Sequence, residues 1–173
     1  MRLGERLLLV TGTSMVLWLV SSGRAVAQEG PAPERRAIPG ITAPDPYPQA
    51  CVSCHVVLPD GMDVRLSALV KQWTDGADSV LLAKAQSAAP AGLTLTGKHP
   101  DVSSTLGDIP AGCLGCHGRN ATLAPPFTRL LHRIHLVGGE SNIFVSMLGG
   151  ECTYCHKLDM ASGAWSIPSG PEP

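Results

Sequence analysis

The chain has few aromatic residues for its length. Its 173 residues include two Phe, two Tyr and three Trp. Beyond residue 27 there are six of them: Tyr47, Trp73, Phe127, Phe144, Tyr154 and Trp165. Aromatic side chains contribute much of the buried area of a protein core. A small domain that is short of them needs another source of cohesion, such as disulfides or a cofactor.

An excess of basic residues is also missing, since 13 Lys and Arg stand against 14 Asp and Glu. Residues 1–27 contain three arginines and one glutamate, and without them 10 basic and 13 acidic side chains give a formal charge of −3. Domains that bind nucleic acid carry a basic surface. The composition therefore argues against a nucleic-acid partner.

A cleaved leader is predicted over residues 1–27. Arg2 and Arg6 form a basic start, an apolar stretch runs from residue 7 to 20, and Ala25-Val26-Ala27 has the small-x-small pattern of a cleavage site. The alternative is a membrane anchor, but the stretch is short for a bilayer span, and polar, Pro-rich sequence follows it. We expect an exported protein, periplasmic or extracellular, with one domain after the leader.

All six cysteines lie in three identical frames, namely Cys51-Val-Ser-Cys54-His55, Cys113-Leu-Gly-Cys116-His117 and Cys152-Thr-Tyr-Cys155-His156. The pattern C-x-x-C-H is the signal for covalent attachment of haem. The two thiols add to the vinyl groups of the porphyrin, and the adjacent imidazole reaches the iron. Three covalent haem c groups, each with its iron, are therefore predicted.

Disulfides and zinc are the alternatives for these cysteines. A disulfide framework gives no reason for a histidine after every second cysteine. Structural zinc sites combine two C-x-x-C units to supply four ligands, so three units would leave an odd half-site. The repeated histidine favours haem over both.

Outside the three frames the chain has three histidines, His99, His132 and His135. Three haems with one proximal histidine each need three distal ligands. The three remaining histidines supply that number, so bis-histidine irons are predicted. Methionine is the competing distal ligand, and Met62, Met147 and Met160 all lie near haem motifs in the sequence. Surface histidines are the other alternative for these three positions.

The spacing of His132 and His135 restricts their roles. Three residues apart on a helix, they point from the same face, whereas two ligands of one iron approach from opposite sides of the macrocycle. We therefore expect them to serve two different haems that lie close together. His135 is expected at the haem of Cys152 and Cys155 or at its nearest neighbour.

The expected fold class is mainly α with much irregular loop, in a small haem-dominated multihaem cytochrome c domain over residues 51–160. A Pro-rich arm over 28–50 and a tail over 161–173 flank it, both weakly ordered, with Trp165 pinning the tail to the body. An apolar stripe predicts a helix over 63–73, with Asp63 as a cap. A second helix is expected over 78–87, before Pro90, and a third over 128–136, opened by Pro125-Pro126 and closed by Gly138-Gly139. Each haem motif is expected on a short helical turn, and no strand alternation is evident.

His132-Arg-Ile-His135 ahead of the third motif and His99-Pro100 ahead of the second resemble the class III and related multihaem cytochromes. The resemblance covers about residues 50–159 and implies that the upstream histidines are distal ligands. It implies low-potential, bis-histidine haems and electron transport with redox donor and acceptor proteins as partners. Two features depart from the family: the 62-residue spacing between the first cysteines of the first two motifs, and the Pro-rich arm. A subunit of an extracellular filament or of a membrane-bound complex is one alternative, and a reductase with an open iron site is another.

Overall fold

The computed structural model describes residues 35–173. The predicted leader and residues 28–34 of the arm lie outside the described residues. Residues 36–173 form one compact unit, which is partly helical with little sheet and much irregular loop. The elements are α1 (Cys51–Cys54), α2 (Leu66–Asp75), α3 (Ser79–Ala88), α4 (Leu114–His117), α5 (Phe127–Leu136), α6 (Ile143–Ser146), β1 (Lys157–Leu158) and β2 (Trp165–Ser166).

The three predicted helices are present, and their starts differ from the predicted ones by one to three residues. Helix α3 begins after Asp78, whose carboxylate accepts hydrogen bonds from the amides of Val80 and Leu81 at 2.9 Å each. This is the usual role of an N-cap residue. Helix α5 follows Pro126, a residue that suits a helix start because it has no amide hydrogen to leave unpaired.

Asp63 is not the cap of α2, contrary to expectation. Its carboxylate is paired with the Arg65 guanidinium at 2.7 Å, and the helix starts at Leu66. The amide of Ser67, in the first turn, donates instead to Glu172 at 3.0 Å. A carboxylate 105 residues away in the sequence thus takes the place of a local cap.

The apolar core made by the protein itself is thin. Among residues 35–173, the buried apolar residues are Ala50, Val52, Ala88, Ile109 and Leu130. Ile109 is the one large side chain in that range with less than 2% of its surface exposed. Helix α2 buries none of its residues, although its sequence carries a clear apolar stripe. The apolar faces of the helices therefore line clefts instead of packing into one continuous core.

The C-terminal tail is better ordered than its composition indicates. Strand β2 pairs antiparallel with β1, and Ile109 and Gly170 exchange two backbone hydrogen bonds of 2.8 and 3.1 Å. The Ser169 hydroxyl accepts from the amide of Ala111 at 3.0 Å. Trp165 itself is 54% exposed, so the tail is held mainly by its backbone and not by this ring.

The described part of the arm is also attached to the body. The Asp45 carboxylate pairs with Lys157 at 2.8 Å, and Arg36 pairs with Glu151. The ring of Tyr47 packs edge-on against Tyr154, with centroids 4.7 Å apart. Within residues 35–173, no helix has both the length and the apolar character that a bilayer crossing requires.

Candidate functional site

The six histidines of the chain form three pairs. The ring centroids are 6.3 Å apart for His55 and His135, 6.0 Å for His117 and His99, and 6.1 Å for His156 and His132. Each pair joins one C-x-x-C-H histidine to one histidine from outside the motifs. The three histidines that the sequence leaves over are thus each placed opposite a motif histidine.

These separations can be compared with two kinds of contact. A direct N–H···N hydrogen bond of about 2.9 Å would bring the centroids to about 5 Å. A metal bound by both rings would separate them further. With metal–nitrogen bonds of about 2.0–2.1 Å and about 1.1 Å from each nitrogen to its ring centre, the centroids would be about 6.3 Å apart. The observed distances match the second arrangement.

Backbone carbonyls fix the tautomer of five of the six rings. The Nδ1 atoms lie 2.7–3.0 Å from carbonyl oxygens, which can only accept. These carbonyls belong to Val64 for His55, Pro100 for His99, Pro125 for His117, Thr128 for His132 and Leu131 for His135. Nδ1 therefore carries the hydrogen, which leaves the Nε2 lone pair free. Metal-binding histidines usually have this type of partner on their other nitrogen.

Helix α5 supplies one member of two different pairs. His132 lies opposite His156 of the third motif, and His135 lies opposite His55 of the first. We expected His135 at the third motif or at its nearest neighbour. The structure places it opposite the first motif, and not at the third. Phe144 packs on His135 at 5.6 Å and on Tyr154 at 6.4 Å, so an aromatic ring fills the space between these two sites.

The pairs differ in the angle between their ring planes. The planes of His55 and His135 are nearly perpendicular, at 86°. Those of His117 and His99 are nearly parallel, at 11°, and His156 and His132 lie at 28°. The first pair is therefore distinguishable from the other two by geometry alone.

The cysteines of each motif lie on a helical turn, as expected. Helix α1 carries the first pair, a 3-10 turn at Ala111–Cys113 followed by α4 carries the second, and a 3-10 turn at Cys152–Tyr154 begins the third. All six thiols are free. Burial raises the pKa of Cys51 and that of Cys54 to about 11 each. Reactive cysteines have a lowered pKa, so these two are poor candidates for nucleophiles at neutral pH.

The second pair lies in an apolar cleft between α2, α3 and α5. His117 and His99 both line it, and Phe127 stacks on His117 with centroids 4.6 Å apart. Burial lowers the pKa of His117, which favours the neutral form that binds metals. The remaining lining is mainly aliphatic and includes Leu81, Leu82, Leu95, Leu130 and Ile134. A flat, apolar cofactor fits such a lining.

A second cleft borders His156 and lies between the arm and the third motif. Its lining includes Asp45, Lys157 and Thr153. The Thr153 hydroxyl is buried and has no hydrogen-bond partner in the described part of the chain. Burial lowers the pKa of His156 as well. This cleft is therefore more polar than the one that holds the second pair.

The competing methionines are turned to solvent. Met62, Met147 and Met160 are between 57% and 76% exposed. The position opposite each motif histidine is occupied by a histidine, and the sequence count had indicated this arrangement. The aromatic neighbours Phe127 and Phe144 were not predicted as site residues, since their sequence positions give no signal of their contacts.

Within residues 35–173, no three side chains of His, Cys, Asp or Glu converge as they would around a metal held by protein alone. Each histidine pair could supply two ligands to an iron, and a porphyrin would supply the rest. The cysteine pairs, free Nε2 atoms, apolar cleft and thin core thus fit haem. Comparison of the chain with protein-family models, with curated proteins and with solved structures gave no match.

Proposed function

We propose that the chain is an exported triheme c-type cytochrome that transfers electrons between redox proteins. The observation that carries the proposal is the arrangement of all six histidines in three pairs, each with one C-x-x-C-H histidine and each at a separation suited to one metal. The cysteines would hold the macrocycles, and the paired Nε2 atoms would hold the irons.

Haem supplies one-electron chemistry when it is bound. The chain's contribution is to orient the rings through the Nδ1 bonds to backbone carbonyls. With a histidine on both sides, no position is left for a substrate. This favours a carrier over a reductase with an open site, and the methionines are too exposed to offer an alternative set of ligands.

Two of the sites lie close together. Helix α5 contributes to both the first and the third pair, and the Cys155 thiol adds to the rise in the pKa of Cys54 that burial causes. A single helix that supplies both sites keeps their separation fixed. Electron transfer between neighbouring centres requires such short, fixed separations, so this arrangement favours a carrier with communicating haems.

The described part of the arm packs on its own chain, through Asp45 and Tyr47. We therefore favour a self-contained carrier over a subunit of a filament or of a membrane-bound complex. Size-exclusion chromatography with light scattering on the haem-loaded mature protein tests this choice. A monomer is the expected result, and stable polymers would favour the filament.

Magnetic circular dichroism in the near infrared tests the ligand set directly, because bis-histidine and His/Met haems give bands at different energies. We expect bis-histidine bands alone. A His/Met band would mean that one distal ligand is a methionine, and a high-spin fraction in the untreated protein would favour an enzyme.

A further inference from the structure

The side chain of Lys157, the residue directly after His156, lines a cleft that His156 also borders. Its ammonium donates to the carbonyl oxygen of Thr153 at 2.7 Å and pairs with the carboxylate of Asp45 at 2.8 Å. The two side chains are only 16% and 20% exposed. They are therefore screened by solvent much less than a surface ion pair would be.

Asp45 belongs to the arm, far from Lys157 in the sequence, and the backbone conformation of the arm positions its carboxylate. The backbone turns back on itself between Ile38 and Ala43, and Gly40 has a φ of +74°. A Cβ at Gly40 would lie 3.4 Å from Oδ2 of Asp45. The second carboxylate oxygen accepts from the amide of Tyr47 at 2.9 Å, so the carboxylate is held on both sides.

The ion pair also lies beside the third motif. Lys157 and Asp45 line the same cleft as His156 and Thr153, and the Lys157 ammonium is bonded to the backbone of that motif. The two charges are therefore close to the site built on His156.

We propose that Lys157 and Asp45 tune the reduction potential of the site built on His156. A positive charge next to an iron disfavours the oxidised, more positive state, and a negative charge favours it. Paired, the two charges nearly cancel. Loss of either partner leaves the other uncompensated, so the two losses shift the potential in opposite directions. The proposal rests on the proposed function, because it requires an iron at His156.

The test compares Asp45→Asn with Lys157→Gln in the haem-loaded protein. Asn keeps an acceptor for the Tyr47 amide, and Gln keeps a donor for the Thr153 carbonyl. In a mediated potentiometric titration resolved into three one-electron components, Asp45→Asn should make one component easier to reduce by about tenfold, which is 59 mV. Lys157→Gln should make the same component harder to reduce by a similar factor.

Controls separate electrostatics from structure. Lys71→Gln and Asp75→Asn make the same charge changes on exposed positions of α2 and should leave all three components in place. Lys157→Arg retains the charge and should keep the wild-type potential. If a variant loses low-spin iron, Asp45→Glu or Lys157→Arg is measured in its place. Both keep the charge, so the low-spin iron and the three potentials of the wild type should return.

Shifts of the same sign, or no shift, with three low-spin haems present would overturn the tuning role while leaving the proposed function intact. Loss of low-spin iron in the conservative variants too would show that the pair only supports the fold, which also overturns it. Wild-type protein without covalent haem would instead refute the proposed function itself.

Discussion

Replacement of His135 or His132 by Ala gives the sharpest prediction about the histidine pairs. The two residues lie on one helix but face different partners, His55 and His156 respectively. Each single variant should therefore open one iron, and the two irons should be different. The double variant should open both.

The expected magnitude follows from the structure. Each replacement removes one Nδ1 bond, to Leu131 or Thr128, a loss of about 0.5–1.5 kcal/mol. Part of it is offset because Ala is favoured in a helix by up to about 0.7 kcal/mol. Helix α5 should therefore persist, and the effect should appear at the iron. One opened site of three converts about a third of the haem to a high-spin or water-ligated form.

Low-temperature electron paramagnetic resonance can identify which site has opened. Perpendicular imidazole planes act equally on the two iron d orbitals of π symmetry, which leaves these orbitals nearly equal in energy and makes the signal strongly anisotropic. Parallel planes split the orbitals and give an ordinary rhombic signal. With angles of 86°, 11° and 28°, the wild type should show about one third of the first kind and two thirds of the second.

His135→Ala should then remove the strongly anisotropic component, and His132→Ala should remove half of the rhombic one. If either single variant keeps all its iron low-spin, that histidine is not a ligand, and Met62 or Met147 becomes the next candidate. If His135→Ala removes rhombic signal instead, the pairing with His55 is wrong.

Three further predictions follow from the same structure. His99→Ala should open the second site alone, again about a third of the haem, and unchanged spectra would exclude His99 as a ligand. Apoprotein made without haem attachment should be largely unfolded, because the apolar core is thin and cofactor binding is linked to folding, and a cooperative thermal transition would contradict this. Glu172→Ala should lower the free energy of unfolding of the loaded protein by about 1 kcal/mol, because the Ser67 amide loses its cap. The low-spin fraction should not change. If Glu172→Gln, which keeps an acceptor oxygen but not the negative charge, has an equal effect, the charge of Glu172 does not stabilise the helix start.

The local features of the fold were predictable from the sequence. The helices expected over 78–87 and 128–136 depend on neighbours within one or two turns, and both agree with α3 and α5 to within one residue at each end. Asp63 failed as a cap because Arg65, two residues away, competes for its carboxylate. The replacement, Glu172, lies 105 residues from Ser67, and no local pattern signals it.

The histidines that form the three pairs could be named from the sequence, but which histidine faces which could not. A count of histidines was enough to select His99, His132 and His135, and helix geometry was enough to separate the last two. Which motif each one faces depends on how α5 packs against the rest of the chain. The arm shows the same limit, since its prolines indicate irregular backbone but not that Asp45 reaches Lys157.

The central claim is three covalent haems per chain, and a pyridine haemochrome assay with intact-protein mass spectrometry on the exported protein tests it most directly. We predict three haems that resist acid–acetone extraction, and two after both cysteines of any one motif are replaced by Ser. One haem or none in the unmodified chain would contradict the account.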